Sequence, residues 1–179
     1  DGIYAKNSYV MERHYGWSGI VADPARVFHN AINQNRKCII DFRAVTAITG
    51  DTVQFHEVTA NLGLSSTLEF NTDMHSGARS NSKGPAYPVT TVSLTDLLIQ
   101  HQAPQNIDYI SIDTEGSELS ILQAFDFDKF SVDVFTIEHN YQQSNRQQIL
   151  DIMTGHGYHR VFTDLSQYDD WYIHSRLIK

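Results

Sequence analysis

The sequence is poor in several residue types, and each scarcity excludes a class of protein. One cysteine, Cys38, among 179 residues excludes an internal disulfide and a zinc site built from several thiolates. No apolar run approaches the roughly 20 residues that a membrane-spanning helix requires. Basic residues are few as well, with 13 Lys and Arg against 21 Asp and Glu and a formal net charge of -8. Nucleic-acid backbones and anionic membranes bind basic surfaces, so we expect neither as the main partner.

Several functional motifs are also missing. The chain has no Walker loop, no Gly-x-Ser-x-Gly and no complete Gly-x-Gly-x-x-Gly. It begins with Asp1-Gly2, which would be the tail of a glycine-rich cofactor loop if such a loop were present. Because the chain opens without Met, as though cut inside this motif, we interpret it as N-terminally truncated. No signal peptide is visible, so we expect an intracellular, cytoplasmic protein.

The composition is that of one folded domain. Hydrophobic residues make up 41% of the chain, too many for a disordered protein. A length of 179 residues is typical of a single domain with its own core, so we predict one domain over 1–179. Cys38 precedes Ile39 and Ile40 in a strand-like run, which favours an inert buried thiol over a nucleophile.

Apolar spacing predicts helices and strands in alternation, and hence an α/β fold whose parallel sheet has right-handed crossovers. In the first half we predict a helix over 7–15, a strand over 17–22, a helix over 25–35, and strands over 37–45 and 52–58. In the second half we predict strands over 89–93, 109–112 and 132–137, helices over 95–101, 117–124 and 146–156, and an antiparallel pair over 157–162 and 171–173. Ser93 or Thr95 would cap the helix over 95–101. The polar stretch over 61–88 predicts a surface loop, part of which would cover a substrate.

The most informative stretch runs from Asp108 to Glu118. Its strand ends on Asp113, Gly116 permits a sharp turn, and a helix follows at once. Ligands of open α/β sheets lie beyond the carboxyl ends of the strands, so Asp113, Glu115 and Glu118 are expected at the rim of a pocket. We interpret Glu115 and Glu118 as helix N-terminal charges that interact favourably with the helix dipole.

A neighbouring strand also ends on polar residues. Glu138 and His139 follow the strand over 132–137, and Asp113 ends the strand expected beside it. Together Asp113, Glu138 and His139 suit a divalent metal such as Mg²⁺ or Mn²⁺. Alternatively His139 would be a general base, because the pKa of histidine lies near neutrality. A third interpretation makes all three residues solvated strand ends.

Two shorter acidic patterns also have two interpretations each. Asp23 ends the strand over 17–22, where an acidic residue of a nucleotide-binding sheet accepts hydrogen bonds from both ribose hydroxyls of a cofactor. A carboxylate here would equally cap the helix that Pro24 opens. Asp126 and Asp128 resemble the Asp-x-Asp of sugar-nucleotide enzymes, although a turn is the better interpretation of so short a pattern.

Several of these motifs occur together in one known family. The chain resembles the FkbM family of S-adenosylmethionine-dependent methyltransferases over nearly its whole length. The motifs that carry the resemblance are Asp1-Gly2, Asn7-Ser8, Glu12, Trp17-Ser18-Gly19, Asp23-Pro24, Asn35-Arg36, 89–98, 107–118 and Glu138-His139. Its most specific parts are Trp17-Ser18-Gly19 with Asp23-Pro24, and Asp113-Thr114-Glu115-Gly116.

The resemblance implies a fold and a reaction. The fold would be a Rossmann-like methyltransferase fold, with a mostly parallel sheet of seven strands whose last strand is antiparallel. The reaction would be O-methylation by S-adenosylmethionine of a hydroxyl on a small-molecule acceptor, such as a sugar or a polyketide-like product. Asp113 would lie beside the methyl group. The residues implied at the cofactor are Asp1 and Gly2 in the glycine-rich loop, Asn7 after it, Asp23 at the ribose, and Arg43 and Ala44 at the adenine.

The chain departs from the family pattern in two places. The family's central first strand and the front of its glycine-rich loop do not occur in this sequence, and Asp23 stands where the family often has Glu. Without that strand the adjacent strands would have unpaired edges, which favours a homodimer. The truncation also supports a second interpretation, a methyltransferase-fold module that binds without catalysing a reaction.

Overall fold

The computed structural model, which describes residues 8–58, 65–67 and 84–178, contains both helices and strands. The α-helices of these residues are α1 (Tyr9–Tyr15), α2 (Arg26–Asn35), α3 (Leu94–Gln100), α4 (Glu118–Ala124) and α5 (Gln143–Gly155), and a 3-10 helix spans Ser175–Leu177. The strands are β1 (Ile20–Ala22), β2 (Ile39–Asp41), β3 (Ala44–Thr46), β4 (Thr52–His56), β5 (Ser66–Thr67), β6 (Ala86–Ser93), β7 (Asn106–Ile112), β8 (Ser131–Glu138), β9 (Tyr158–Val161) and β10 (Asp169–His174). The mixed α/β class is confirmed.

The first four-stranded sheet has the order β7-β8-β10-β9. β7 and β8 are parallel, with Ile112 opposite Ile137. β10 runs antiparallel to both β8 and β9, and Trp171 lies opposite Val161. The predicted antiparallel pair near the end of the chain is therefore confirmed. Because β7 and β8 are parallel neighbours, the residues that follow them emerge at the same edge of the sheet.

The predicted strand over 37–45 is wrong as a single strand. It divides into β2, which pairs in parallel with β1, and β3, which pairs in parallel with β6 in a different sheet. The break follows from a side-chain contact, because Asp41 Oδ1 accepts a hydrogen bond from the backbone N–H of Arg43 at 3.0 Å. This local bond accompanies a bend at Arg43, after which the chain leaves β2.

The second four-stranded sheet has the order β3-β6-β4-β5. β6 is antiparallel to β4, and it begins at Ala86 rather than at the predicted residue 89. Most of the predicted loop over 61–88 lies outside the described residues, and its described parts contribute β5 and the start of β6. Ser93 accepts a hydrogen bond from the backbone N–H of Asp96 at 3.1 Å, which makes Ser93 rather than Thr95 the cap of α3.

The predicted sheet of seven strands is not what the described residues form. They form one two-stranded and two four-stranded sheets. Between β1 and β7 lies a groove of about 740 Å³ that is lined by all of β1 and by every residue of β7. Within the described ranges, β1 pairs with β2 and β7 pairs with β8. The homodimer expected from the sequence stays a prediction.

The main core lies between the β7-β8-β10-β9 sheet and helices α3, α4 and α5. Its buried side chains come from each of these elements: Leu94, Leu97, Leu98, Ile112, Ile121, Leu122, Val132, Phe135, Ile137, Ile149, Met153, Tyr158 and Tyr172. Cys38 is only half-buried, and burial raises the pKa of its thiol, which keeps the thiol protonated and unreactive. Over the described ranges, none of the helices has the length and apolar character needed to cross a membrane.

Candidate functional site

Three carboxylates meet where β7 and β8 end. Asp113 directly follows β7, and Glu138 is the last residue of β8. Ile112 and Ile137 are paired across the two strands, so Asp113 and Glu138 emerge side by side, as the strand ends predicted. Glu115 joins them from the turn after β7. One carboxylate oxygen from each of these three residues lies within 4.8 Å of the others, and we call this group the acidic cluster.

The turn between β7 and α4 is organised by Glu118. Its Oε1 accepts hydrogen bonds from the backbone N–H and the hydroxyl of Thr114, both at 2.8 Å, and the backbone N–H of Gly116 donates to both carboxylate oxygens. Glu115 takes the left-handed conformation in this turn, with φ 59°. Glu118 lies in the first turn of α4 as expected, but its buried carboxylate holds the turn together. Glu115 is 7% exposed and belongs to the acidic cluster.

Negative charge is concentrated in this cluster. Burial raises the pKa of Glu138 far above its usual range, and the neighbouring carboxylates of Asp113, Glu115 and Glu118 raise it further. Asp169 lies opposite Glu138 on β10, and burial together with Asp113 raises the pKa of Asp169 to about 6. The strand ends therefore form a strongly acidic region.

His139 points away from the acidic cluster. Its Nδ1 accepts a hydrogen bond from the backbone N–H of Tyr141 at 3.0 Å, so the proton of the neutral ring is assigned to Nε2. Nε2 faces Asp170 at 3.9 Å, and Asp170 is bound by Arg146 through two hydrogen bonds of 2.7 Å. Burial and the nearby Arg146 lower the pKa of His139. This geometry does not support the predicted roles of His139 as a general base or a metal ligand.

Asp23 and Asp113 line the same cavity, although they follow different strands in different sheets. The cavity measures about 120 Å³, and its lining also includes Ala44 and Glu115. Asp23 Oδ1 accepts a hydrogen bond from the backbone N–H of Ala25 at 3.0 Å, which matches the capping interpretation of this carboxylate. The cavity continues into the groove between β1 and β7, because Asp23 and Asp113 line both.

The other predicted cofactor residues have different positions. Ala44 is 3% exposed at the cavity, whereas the side chain of Arg43 binds Asp41 and donates to Gln100 Oε1 at 2.8 Å. The geometry therefore brings Asp23, Ala44 and Asp113 together and directs the side chain of Arg43 to Asp41. Asp1, Gly2 and Asn7 lie outside the described residues.

Sequence reasoning missed two polar residues at this edge of the sheet. Asn140 is 4% exposed, and its Nδ2 lies 3.4 Å from Glu115 Oε2. Asp169 adds a further carboxylate from β10. The signals were present in the polar run that follows β8 and in the acidic pair at the start of β10. Asp126 is exposed and accepts a hydrogen bond from the backbone N–H of Lys129 at 2.9 Å, as expected of a turn residue.

Asp41 forms a buried ion pair behind the cavity. Its carboxylate binds the guanidinium of Arg43 and lies 2.9 Å from His101 Nε2. Burial by itself would raise the pKa of Asp41, but the hydrogen bonds from Arg43 and His101 outweigh it and hold that pKa well below its usual range. A depressed folded-state pKa means that the ionised carboxylate stabilises the fold.

Replacement of Asp41 by asparagine is therefore expected to destabilise the protein in a pH-dependent way. At neutral pH we expect a loss of roughly 1.5–3 kcal/mol, typical of hydrogen bonds to a charged group. The loss should be constant above the pKa of Asp in the unfolded chain, about 3.9, and should shrink as the pH falls below it. Urea unfolding of both proteins across this pH range measures the difference. A difference that grows on acidification would contradict the assignment.

The comparisons with known proteins agree with the resemblance noted in the sequence. A family model described as the methyltransferase FkbM domain matches residues 1–160. The chain belongs to the FkbM methyltransferase family. The match covers the acidic cluster and both strands that carry it, whereas β10 and its Asp169 lie beyond it. Searches of curated proteins and of solved structures find no match.

Proposed function

We propose that this FkbM methyltransferase transfers the methyl group of S-adenosylmethionine to a hydroxyl oxygen of a small molecule, such as a sugar or a polyketide-like product. The observation that carries the proposal is the cavity shared by Asp23 and Asp113 at the carboxyl ends of β1 and β7. Ligands of α/β folds bind at this edge of the sheet. Membership of the FkbM family indicates methyl transfer as the reaction class, and the cavity is the proposed place of the reaction.

The cofactor would extend from Asp23 towards Asp113. A cavity of about 120 Å³ is too small for a whole cofactor, since ligand pockets usually measure about 300–1,000 Å³. The adjoining groove provides the remaining space. In this arrangement the carboxylate of Asp23 would accept hydrogen bonds from the ribose hydroxyls while it also caps the turn before α2. Ala44 would pack against the adenine, because its small side chain leaves room for a flat ring.

The reaction itself is a substitution at the methyl carbon. A bond forms between the acceptor oxygen and the methyl carbon as the carbon–sulfur bond breaks, and its electron pair remains on sulfur in S-adenosylhomocysteine. The acceptor hydroxyl would lose its proton to the carboxylate of Asp113. Because His139 is turned away, we assign the contact with this hydroxyl to Asp113, whose carboxylate is exposed at the cavity. The protein's main contribution is to hold the two reactants in line.

Titration of the chain with S-adenosylhomocysteine by calorimetry tests the cofactor site. We expect micromolar affinity, and we expect Asp23→Asn to weaken it about tenfold, because an amide oxygen replaces a charged acceptor of two hydroxyls. Asparagine also caps helices well, so this variant keeps the local fold. Asp128→Asn is the matched control, since Asp128 is an exposed aspartate in the turn after α4.

Two results would contradict the cofactor assignment. If the folded wild-type chain did not bind S-adenosylhomocysteine, S-adenosylmethionine would not be its cofactor. If Asp23→Asn bound as tightly as the wild type, Asp23 would act only as a cap. Binding without turnover on any hydroxyl acceptor would instead favour the second candidate, a binding module. The groove between β1 and β7, which at about 740 Å³ is much larger than the cavity beside Asp23, is the observation that favours this second candidate.

A further inference from the structure

We propose that Asp113, Glu115 and Glu138, together with the amide oxygen of Asn140, bind one hard divalent cation such as Mg²⁺ or Mn²⁺. Binding of the ion is argued from the geometry of these four side chains alone. Only its role towards an acceptor hydroxyl rests on the proposed function. The set differs from the one predicted from the sequence, because Glu115 and Asn140 replace His139.

The spacing of the carboxylates fits a single ion. One oxygen from each of Asp113, Glu115 and Glu138 lies within 4.8 Å of the other two. Two oxygens on the same ion are at most about 4 to 5 Å apart, which is twice the usual metal–oxygen bond length of 2.0–2.6 Å. The three oxygens can therefore reach one ion with small side-chain movements. The backbone already fixes two of these residues, since Asp113 and Glu138 follow paired positions of β7 and β8.

Asn140 provides an independent observation that points to a ligand. Its side chain is 96% buried, and within the described ranges its Oδ1 has no hydrogen-bond partner. The Nδ2 of the same amide lies 3.4 Å from Glu115 Oε2, which places the amide against the acidic cluster. A buried carbonyl oxygen without a donor costs roughly 1–3 kcal/mol. A cation bound by the cluster would satisfy this oxygen directly.

Glu138 also has a buried oxygen that needs a donor or a cation. It is 8% exposed, and its Oε2 also has no hydrogen-bond partner among the described residues. A buried carboxylate oxygen beside two further carboxylates is unfavourable unless a positive charge compensates it. The guanidinium groups of Arg146 and Arg160 instead bind Asp170. A divalent cation bound by the acidic cluster would compensate the negative charge of these carboxylates directly.

The ligand atoms indicate the class of ion. All four are oxygens, three from carboxylates and one from an amide, and none is a nitrogen or a sulfur atom. Oxygen ligands of this kind suit Mg²⁺, Mn²⁺ and Ca²⁺ rather than Zn²⁺ or Cu²⁺. Asp113 is exposed and lines the cavity, so an ion held there would keep coordination positions open towards that cavity. An acceptor hydroxyl bound at an open position would lose its proton more easily.

Electron paramagnetic resonance with Mn²⁺ tests the proposal, because the signal of free Mn²⁺ falls as the ion binds. The chain is first freed of metal with a chelator and then titrated with MnCl₂ alone. We expect one saturable site per chain, from which excess Mg²⁺ displaces Mn²⁺. Glu138→Gln and Glu115→Gln should each weaken binding by at least about 10-fold, because each removes a charged ligand.

Asp151→Asn is the matched control, since it removes one negative charge from an exposed position of α5. Its affinity for Mn²⁺ should equal that of the wild type. Glu115→Gln decides the outcome if Glu138→Gln does not fold, as judged by circular dichroism. The proposal is overturned if the wild type shows no saturable site, or if the folded cluster variants bind Mn²⁺ as the control does.

The proposed function is distinguished by repeating the S-adenosylhomocysteine titration in the presence of the chelator. Cofactor binding without any Mn²⁺ site would overturn the metal proposal and leave the proposed function intact. An Mn²⁺ site in a chain that does not bind S-adenosylhomocysteine would support the metal proposal and contradict the proposed function.

Discussion

Replacement of Phe135 by alanine is expected to lower the free energy of unfolding by about 3–5 kcal/mol. Phe135 lies in the middle of β8 and is fully buried. Its ring contacts those of Phe125 and Tyr158, at centroid distances of 6.1 and 5.3 Å. The variant therefore loses buried apolar area and leaves a cavity between the sheet and its helices. Urea unfolding, with the midpoint and the slope fitted together, measures the loss.

Phe162→Ala is the matched control for this prediction. Phe162 is 55% exposed, and its ring lies edge-on to that of Trp171 at a centroid distance of 6.1 Å. Removal of this ring should lower the free energy of unfolding by about 1 kcal/mol or less, because little apolar area is buried and one ring contact is lost. Equal losses in the two variants would mean that Phe135 does not lie in the main core.

Apolar periodicity was sufficient to predict the α-helices of the described residues and the closing antiparallel pair. The spacing of Ile149, Leu150 and Met153 places one face of α5 on the core, and the observed helix starts three residues before its predicted range. The closing antiparallel pair was equally readable, because turn residues separate two short apolar runs. Both features depend on interactions between near neighbours in the chain, which a sequence pattern records directly.

The division of the sheets could not be predicted in this way. A single bond from the Arg43 N–H to the side chain of Asp41 separates β2 from β3, and no apolar pattern records such a bond. β6 continues through Pro88, although proline lacks the N–H that a central strand needs. The pairing explains this, because β3 pairs with Thr91, Val92 and Ser93 of β6, so among the described strands Pro88 lies beside β4 alone.

The candidate site was predictable at its strand ends and not in its turns. Asp113 and Glu138 could be placed together because the ends of parallel neighbours share one edge of the sheet. The positions of Glu115 and Asn140 depend on left-handed backbone conformations, with φ 59° and 43°. Glutamate rarely adopts this conformation and nothing in the local sequence signals it. The same uncommon turn after β8 carries the ring of His139 away from the cluster.

Replacement of Asp113 by asparagine is expected to lower kcat by at least about 100-fold, within the range observed for loss of an acid–base contact. Asparagine has the same size and keeps a polar contact with the acceptor, but it neither accepts a proton nor carries a charge. Turnover is measured as S-adenosylhomocysteine released with an acceptor that the wild type methylates. The affinity for S-adenosylhomocysteine should change little, because Asp23 rather than Asp113 is assigned to the ribose.

Comparison of kcat with the affinity for S-adenosylhomocysteine decides which role Asp113 has. A lower kcat with unchanged cofactor affinity places Asp113 on the acceptor side of the site, whereas a parallel loss of both would place it at the cofactor. Asp128→Asn should leave both unchanged, because its exposed carboxylate lies in a turn. If Asp113→Asn turned over as fast as the wild type, the acceptor hydroxyl would not depend on the end of β7. The acidic cluster would then have a role in binding an ion or in folding rather than in methyl transfer.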